Sequence, residues 1–192
     1  MLRITGGEFR GRYLKTPSGL ATRPSHARLR QALFNSIQAN IPDAKVLDLF
    51  AGSGALGFEA LSRGATHVTF VEISIPAVKM IEANAQDLKV LDKIEVISES
   101  VDKVAQRILK NAPYDLVLAD PPYEGGFEMK LLEGLKWPWE QLLSDIGIFC
   151  MEWGIHKSMV ESVPDQVGHL VKIREKNYGD SVLSTYERAT SG

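Results

Sequence analysis

Two short runs hold residues whose types and spacing can do chemistry. The first, residues 46–57, reads VLDLFAGSGALG. In it Gly52, Gly54 and Gly57 satisfy G-x-G-x-x-G between an apolar run of strand character and a helical one. Glycines at those positions let the backbone turn tightly and approach a ligand, and the helix that follows offers free amide donors. Glu72 closes the next apolar run, 18 residues beyond Gly54, where a carboxylate can hydrogen-bond both hydroxyls of a ribose. Loop and acid together predict an adenosine-type cofactor at the carboxyl ends of the strands. A nicotinamide dinucleotide satisfies the same pattern. Asp48 tilts the choice, because a carboxylate at the strand end suits the ammonium or sulfonium charge of S-adenosylmethionine and is poorly matched to a pyrophosphate.

The second run is VLADPPY, residues 117–123. Proline cannot donate to a sheet ladder, so the strand stops at Asp120 and the backbone turns outward with fixed φ angles. Methyl transfer to an exocyclic amino group needs such a turn. The nitrogen lone pair is delocalised into the ring until acceptors hold its two hydrogens and aim it along the S–CH₃ bond. The Asp120 carboxylate and a proline carbonyl can be those acceptors, and Tyr123 can stack on the base. Asp120, Pro121, Pro122 and Tyr123 are therefore the expected catalytic group. They act by positioning and electrostatics in an in-line displacement, with no covalent intermediate and no metal. The spacing leaves open whether Asp120 takes the proton or only polarises the N–H bond.

The elements that must position these runs can be read from the alternation of apolar periods. From Lys45 onward VLDLFAG, HVTFVE, KIEVISES, YDLVLAD and GIFCMEW read as strands, with helices over LGFEALSRG, from Ser74 (Pro76 in the first turn), and over VDKVAQRILKN. Near-continuous apolar strands alternating with helices predict a parallel sheet covered on both faces. VKIREKNYG and SVLSTYER, joined by a Gly-Asp turn, predict a terminal antiparallel hairpin. The expected fold is α/β: a doubly wound, mostly parallel, seven-stranded, Rossmann-like sheet. Residues 1–24 form a small basic arm or hairpin and residues 25–192 the main domain. A helix opens at Ser25 with Leu29, Leu33, Phe34 and Ile37 on one face.

The net charge of −2 conceals an asymmetry. Residues 1–35 carry seven basic side chains against Glu8 alone, while the rest of the chain holds fifteen basic and twenty-three acidic ones. A basic face on an acidic protein suits a polyanion such as nucleic acid. No apolar run approaches the roughly 20 residues of a membrane span, and no signal-peptide core is present, so a cytoplasmic location is expected. The lone Cys150, in IGIFCMEWG, reads as a small buried hydrophobe, and the four histidines share no metal-ligand spacing. Trp137 and Trp139 in WPWE read as a packed corner near the catalytic turn.

Taken together, RITGG-x-x-RGR-x-L, TRPS…R-x-R-x-ALFN, VLDLFAGSGALGFEALSRGA, DPPY and YGD-x-x-L-x-x-Y resemble the RsmD family over essentially the full length. This is a family of bacterial small-subunit rRNA guanine-N2-methyltransferases. The resemblance implies a class I methyltransferase fold using S-adenosylmethionine and methylating the N2 of one guanine in 16S rRNA. Carried over, Asp48, Phe50, Ala51, Gly52, Ser53 and Gly54 cradle the methionine part of the cofactor, and Glu72 holds the ribose beside Ile73. Thr22, Arg23 and Pro24 lie near the methionine end, Asp120 to Tyr123 hold the guanine, and Arg10, Arg12, Arg28 and Arg30 face RNA phosphates. The chain departs from the family's usual pattern at Ala27, Gln31 and Ser100, where Asp, Glu and Asp are usual. Ser100 or Glu99 then meets the adenine amino group. The short arm, without a separate RNA-binding domain, points to a protein-bearing small-subunit particle as substrate, and a monomer is expected. The alternatives are a base-amino methyltransferase of tRNA or DNA and, in a different class, a non-catalytic RNA-binding module.

Overall fold

Val46, Leu47, Leu49, Val68, Phe70, Val71, Leu116, Val117 and Leu118 have no accessible surface. Residues that alternate in direction along a strand can all be buried only if the sheet is covered on both faces. A computed structural model, describing residues 2–16, 24–122, 126–134, 137–155 and 162–189, has this architecture. Its elements in chain order are β1 (Leu2–Arg3), β2 (Tyr13–Leu14), α1 (Pro24–Ser36), β3 (Lys45–Leu49), α2 (Ala55–Ser62), β4 (His67–Val71), α3 (Ile75–Leu88) and β5 (Ile94–Ile97). There follow α4 (Ala105–Ile108), β6 (Tyr114–Ala119), α5 (Phe127–Met129), α6 (Trp139–Leu142), β7 (Leu143–Gly154), β8 (Gln166–Val167), β9 (Leu170–Tyr178) and β10 (Ser181–Arg188).

The main sheet has the order β5-β4-β3-β6-β7-β10-β9-β8. Pairs from β5 across to β7 are parallel, and those from β7 through β10 and β9 to β8 are antiparallel. The chain winds outward from β3 to β5, then returns to lay β6 on the other side of β3. That reversal opens a crevice at the carboxyl ends of β3 and β6, where an open α/β sheet binds its ligands. One face packs Leu33 and Phe34 of α1, Phe58 of α2 and Ile81 of α3 against Val46 and Leu116. The other packs Ile108 of α4 and Trp139 and Leu142 of α6 against Leu47, Val117 and Phe149.

The expected doubly wound sheet and terminal hairpin are present, with three differences. The sheet has eight strands rather than seven, because the two-residue β8 adds an edge to β9. Only Ala105–Ile108 of the run VDKVAQRILKN is helical. Its start is instead a turn, closed by Lys103 N–H on the Ser100 carbonyl and by Ser100 Oγ on Asp102. The last parallel strand begins at Leu143, and a register shift opposite Tyr114 and Leu116 admits it where Gly147 lies against the Tyr114 carbonyl. Trp137 and Trp139 are buried, and Trp139 stacks on Phe149 at 4.7 Å, the packed corner expected of them. Among the described residues no helix is long and apolar enough to cross a membrane.

Arg30 corrects the reading of the basic arm. Expected to face RNA phosphates, it is only 6% exposed and points inward. Its Nε lies 3.4 Å from Glu59, and its NH2 donates to the Arg3 carbonyl at 2.7 Å. Glu59, fully buried in α2, also accepts from Thr5 N–H, Thr5 Oγ1 and Arg63 Nε at 2.7–2.9 Å. This carboxylate fastens the β1–β2 hairpin to the domain. Removing it leaves a buried guanidinium without its counter-charge, so Glu59→Ala should lose roughly 3–5 kcal/mol of stability, read from urea unfolding. A loss below about 1 kcal/mol would contradict that role.

Candidate active site

The glycine loop is shaped by left-handed backbone. Phe50, Gly52 and Gly54 have φ of 58°, 55° and 78°. A bulky residue at positive φ is strained and persists only where its surroundings hold it. Phe50 is held by an edge contact on Phe127, ring centroids 5.1 Å apart. Gly57 is needed for close packing, since a Cβ there would lie 2.2 Å from the Phe70 ring. Beneath the loop the carboxylate of Asp48 accepts the Gly57 N–H at 2.9 Å. Glu72 accepts Gly52 N–H on one oxygen and Ser74 N–H on the other, each at 2.7 Å, which ties the loop to the end of β4. Each of those oxygens keeps a lone pair for a further donor.

Two cavities share Phe50 and Asp120 as walls. One, of about 320 Å³, is lined by Val71, Glu72, Ile73, Glu99, Val101 and Pro122. The other, of about 210 Å³, is lined by Asp48, Ala51, Gly52, Ser53, Cys150 and Glu152. The N-terminal elements roof this second cavity with Leu2, Thr16, Leu29, Arg30 and Leu33. The cleft is therefore elongated and faces the ligand with carboxylates. Its one wall cation among the described residues, Arg30, is already paired with Glu59.

Crowding of carboxyls shifts their acidity. Burial pushes Asp48 up to about 7, with the Gly57 N–H opposing the shift and Glu72 adding to it. Asp120 is exposed to the cleft yet enclosed by protein beyond it. That enclosure, then the charges of Glu152 and Asp48, raise it well above the ordinary carboxylate range. Such a site favours a ligand that brings positive charge and disfavours a pyrophosphate. Burial pushes the Cys150 thiol up to about 12, which makes it no nucleophile at neutral pH.

Comparison with known proteins gives the chain's family. A family model described as conserved hypothetical protein 95 matches residues 2–187. The ribosomal RNA small subunit methyltransferase D of Escherichia coli (strain K12) is 35% identical over 194 residues, covering 100% of this chain and 92% of that protein. The chain belongs to the RsmD family of methyltransferases. An Escherichia coli structure described as a methyltransferase superposes with a TM-score of 0.82 and 31% identity, covering 99% of each chain. A methyltransferase solved in complex with SAH shares the fold alone, with a TM-score of 0.62, 16% identity, and coverage of 86% of this chain and 50% of that one.

The RsmD-family residues expected at the site fall into four groups. Asp48, Phe50, Ala51, Gly52, Ser53, Glu72, Ile73, Glu99, Asp120 and Pro122 line the two cavities. Gly54 caps α2, Pro121 is buried behind the turn, and Ser100 Oγ bonds Asp102, so these three are near the cleft without lining it. Tyr123, Thr22 and Arg23 lie outside the described residues, as does the side chain of Pro24. Arg10, Arg12 and Arg28 are exposed, Arg12 donating to the Asp87 carbonyl at 3.0 Å. Sequence reasoning missed Glu152, whose signal was present as the single charge in the apolar run IFCMEWG. It also missed Asn84, which bonds both backbone groups of Lys15 and the Ser53 carbonyl, linking the arm to the glycine loop.

Proposed function

We propose that the protein transfers a methyl group from S-adenosylmethionine to the exocyclic N2 of a guanine in 16S ribosomal RNA, within a small-subunit particle. The observation that carries this reading is the convergence of Asp48, Glu72 and Asp120 on one cleft of an RsmD-family chain. S-adenosylmethionine, when bound, supplies a methyl group made electrophilic by its sulfonium charge. Asp48 would meet the positive charge of the methionine part, which the loop from Phe50 to Ser53 would cradle. Glu72 keeps its two backbone donors and offers its remaining lone pairs to the ribose hydroxyls. Ile73 would flank the adenosine, with Glu99 at the adenine amino group.

The chain's other task is to make a poor nucleophile attack. Asp120 and a proline carbonyl of the turn accept the amino hydrogens and orient the nitrogen lone pair, and Tyr123 stacks on the guanine. Asp120 would accept the proton that the amino nitrogen gives up on methylation. Its raised pKa makes it a stronger base than an ordinary carboxylate. Arg10, Arg12 and Arg28, exposed on the elements that roof the cleft, provide a phosphate-binding rim.

Two outcomes follow. Cofactor affinity should rise with pH, because cation binding needs ionised Asp48 and its pKa is about 7. Titration calorimetry should give a Kd roughly 10-fold lower at pH 8 than at pH 6, with proton release at pH 6. A Kd that does not change over that range, with no proton release, would contradict the assignment. In cells lacking the protein, digested 16S RNA should have lost one N2-methylguanosine by mass spectrometry. An unaltered set of modified nucleosides would refute the proposed substrate.

A further inference from the structure

Asp120 does not face the cleft alone. In the parallel pairing of β6 with β7, Ala119 lies opposite Met151, so Asp120 and Glu152 follow side by side. Ordinary strand spacing sets their backbones about 5 Å apart. Both side chains line the cavity beneath the glycine loop, and Glu152 is close enough for its charge to act on Asp120. Glu152 is also the one charged residue between Ile148 and Gly154, in the middle of the sheet. Methyl transfer as described above gives it no task. Two like charges side by side repel each other, so this pairing is suited to a ligand that presents two hydrogen-bond donors next to each other.

Among bases that carry an exocyclic amino group, the Watson–Crick edges differ at the neighbouring ring position. Guanine has N1–H beside its N2 amino group. Adenine and cytosine have a ring lone pair beside theirs. A carboxylate opposite N1–H makes a charge-assisted hydrogen bond, and opposite a lone pair it is repelled. We propose that Glu152 accepts the N1–H of the target guanine while Asp120 engages its N2 amino group, so that the two carboxylates together select guanine. This inference rests on the guanine-N2 reading above and assigns the residue that enforces it.

2-Aminopurine tests the inference, because it keeps the 2-amino group and has a lone pair in place of N1–H. Small-subunit particles would be reconstituted with 16S RNA carrying guanine or 2-aminopurine at the methylated position. Transfer would be measured for the wild-type protein and for Glu152→Gln, whose carboxamide can donate to the lone pair. The wild-type protein should favour guanine by roughly 10²-fold in kcat/KM, the loss of one hydrogen bond to a charged group. E152Q, compared at saturating cofactor, should narrow that ratio to within about 5-fold, with faster transfer to 2-aminopurine. Equal losses on both bases, or a wild-type protein indifferent to the replacement, would overturn the assignment of Glu152 while leaving guanine methylation standing. Wild-type protein that forms no N2-methylguanosine on the guanine particle would instead remove the functional reading beneath it.

Discussion

Replacing Asp120 with alanine should lower methyl transfer by roughly 10³-fold while changing the Kd for S-adenosylmethionine by no more than about 3-fold. The split follows from position. Asp120 stands where the two cavities meet, and in the proposed mechanism its carboxylate engages the amino group to be methylated rather than the cofactor's charge. Its interaction strengthens only as the nitrogen becomes cationic, so its loss falls on kcat. The substitution also removes one of three carboxylates that crowd each other, so the unliganded protein should not lose stability. Single-turnover transfer and calorimetric binding on the same preparation check both halves. A variant that transfers within about 10-fold of wild type would mean that the turn holds the base by its carbonyls alone.

Asp48→Asn should have two opposite effects. The asparagine keeps an oxygen for the Gly57 N–H but has no charge for the cofactor's cation, so affinity should fall by roughly 30–100-fold. Stability without cofactor should move the other way. The Asp48 pKa is about 7 in the folded chain, whereas an unfolded aspartate titrates near 3.9. A group raised on folding contributes stability that is fully present below the unfolded pKa and is lost as pH rises through the folded value. At pH 8 the wild-type protein therefore carries the whole cost of a buried charge, on the order of 4 kcal/mol by linkage, and the asparagine removes it. Denaturant unfolding without cofactor should show the variant more stable at pH 8, with the gap closing towards pH 4. A variant less stable at pH 8 would mean that Asp48 stabilises the loop more than its burial costs.

Local patterns carried much of this account in the sequence. The glycine loop with Asp48, the acid ending β4 and the turn after β6 each depend on neighbours within a few residues. Alternating apolar runs gave the order of strands and helices, and the crevice follows from that order. What could not be read depends on distant parts of the chain meeting. Glu152 reaches the cleft only through the register of β7 on β6, set by a bulge near Gly147. Arg30 looked like its basic neighbours because charge alone cannot tell a phosphate from Glu59, an acid 29 residues away in a helix. The helix expected over residues 101–111 shortened because Ser100 and Asp102 bond each other in a turn, a choice that periodicity does not register.

Transfer of labelled methyl from S-adenosylmethionine to small-subunit particles from cells lacking the protein tests the central claim most directly, with Asp120→Ala run alongside. Digestion of the RNA should yield the label as N2-methylguanosine, and the variant should yield almost none. Label on another nucleoside, or none on particles or free 16S RNA despite bound cofactor, would contradict the account.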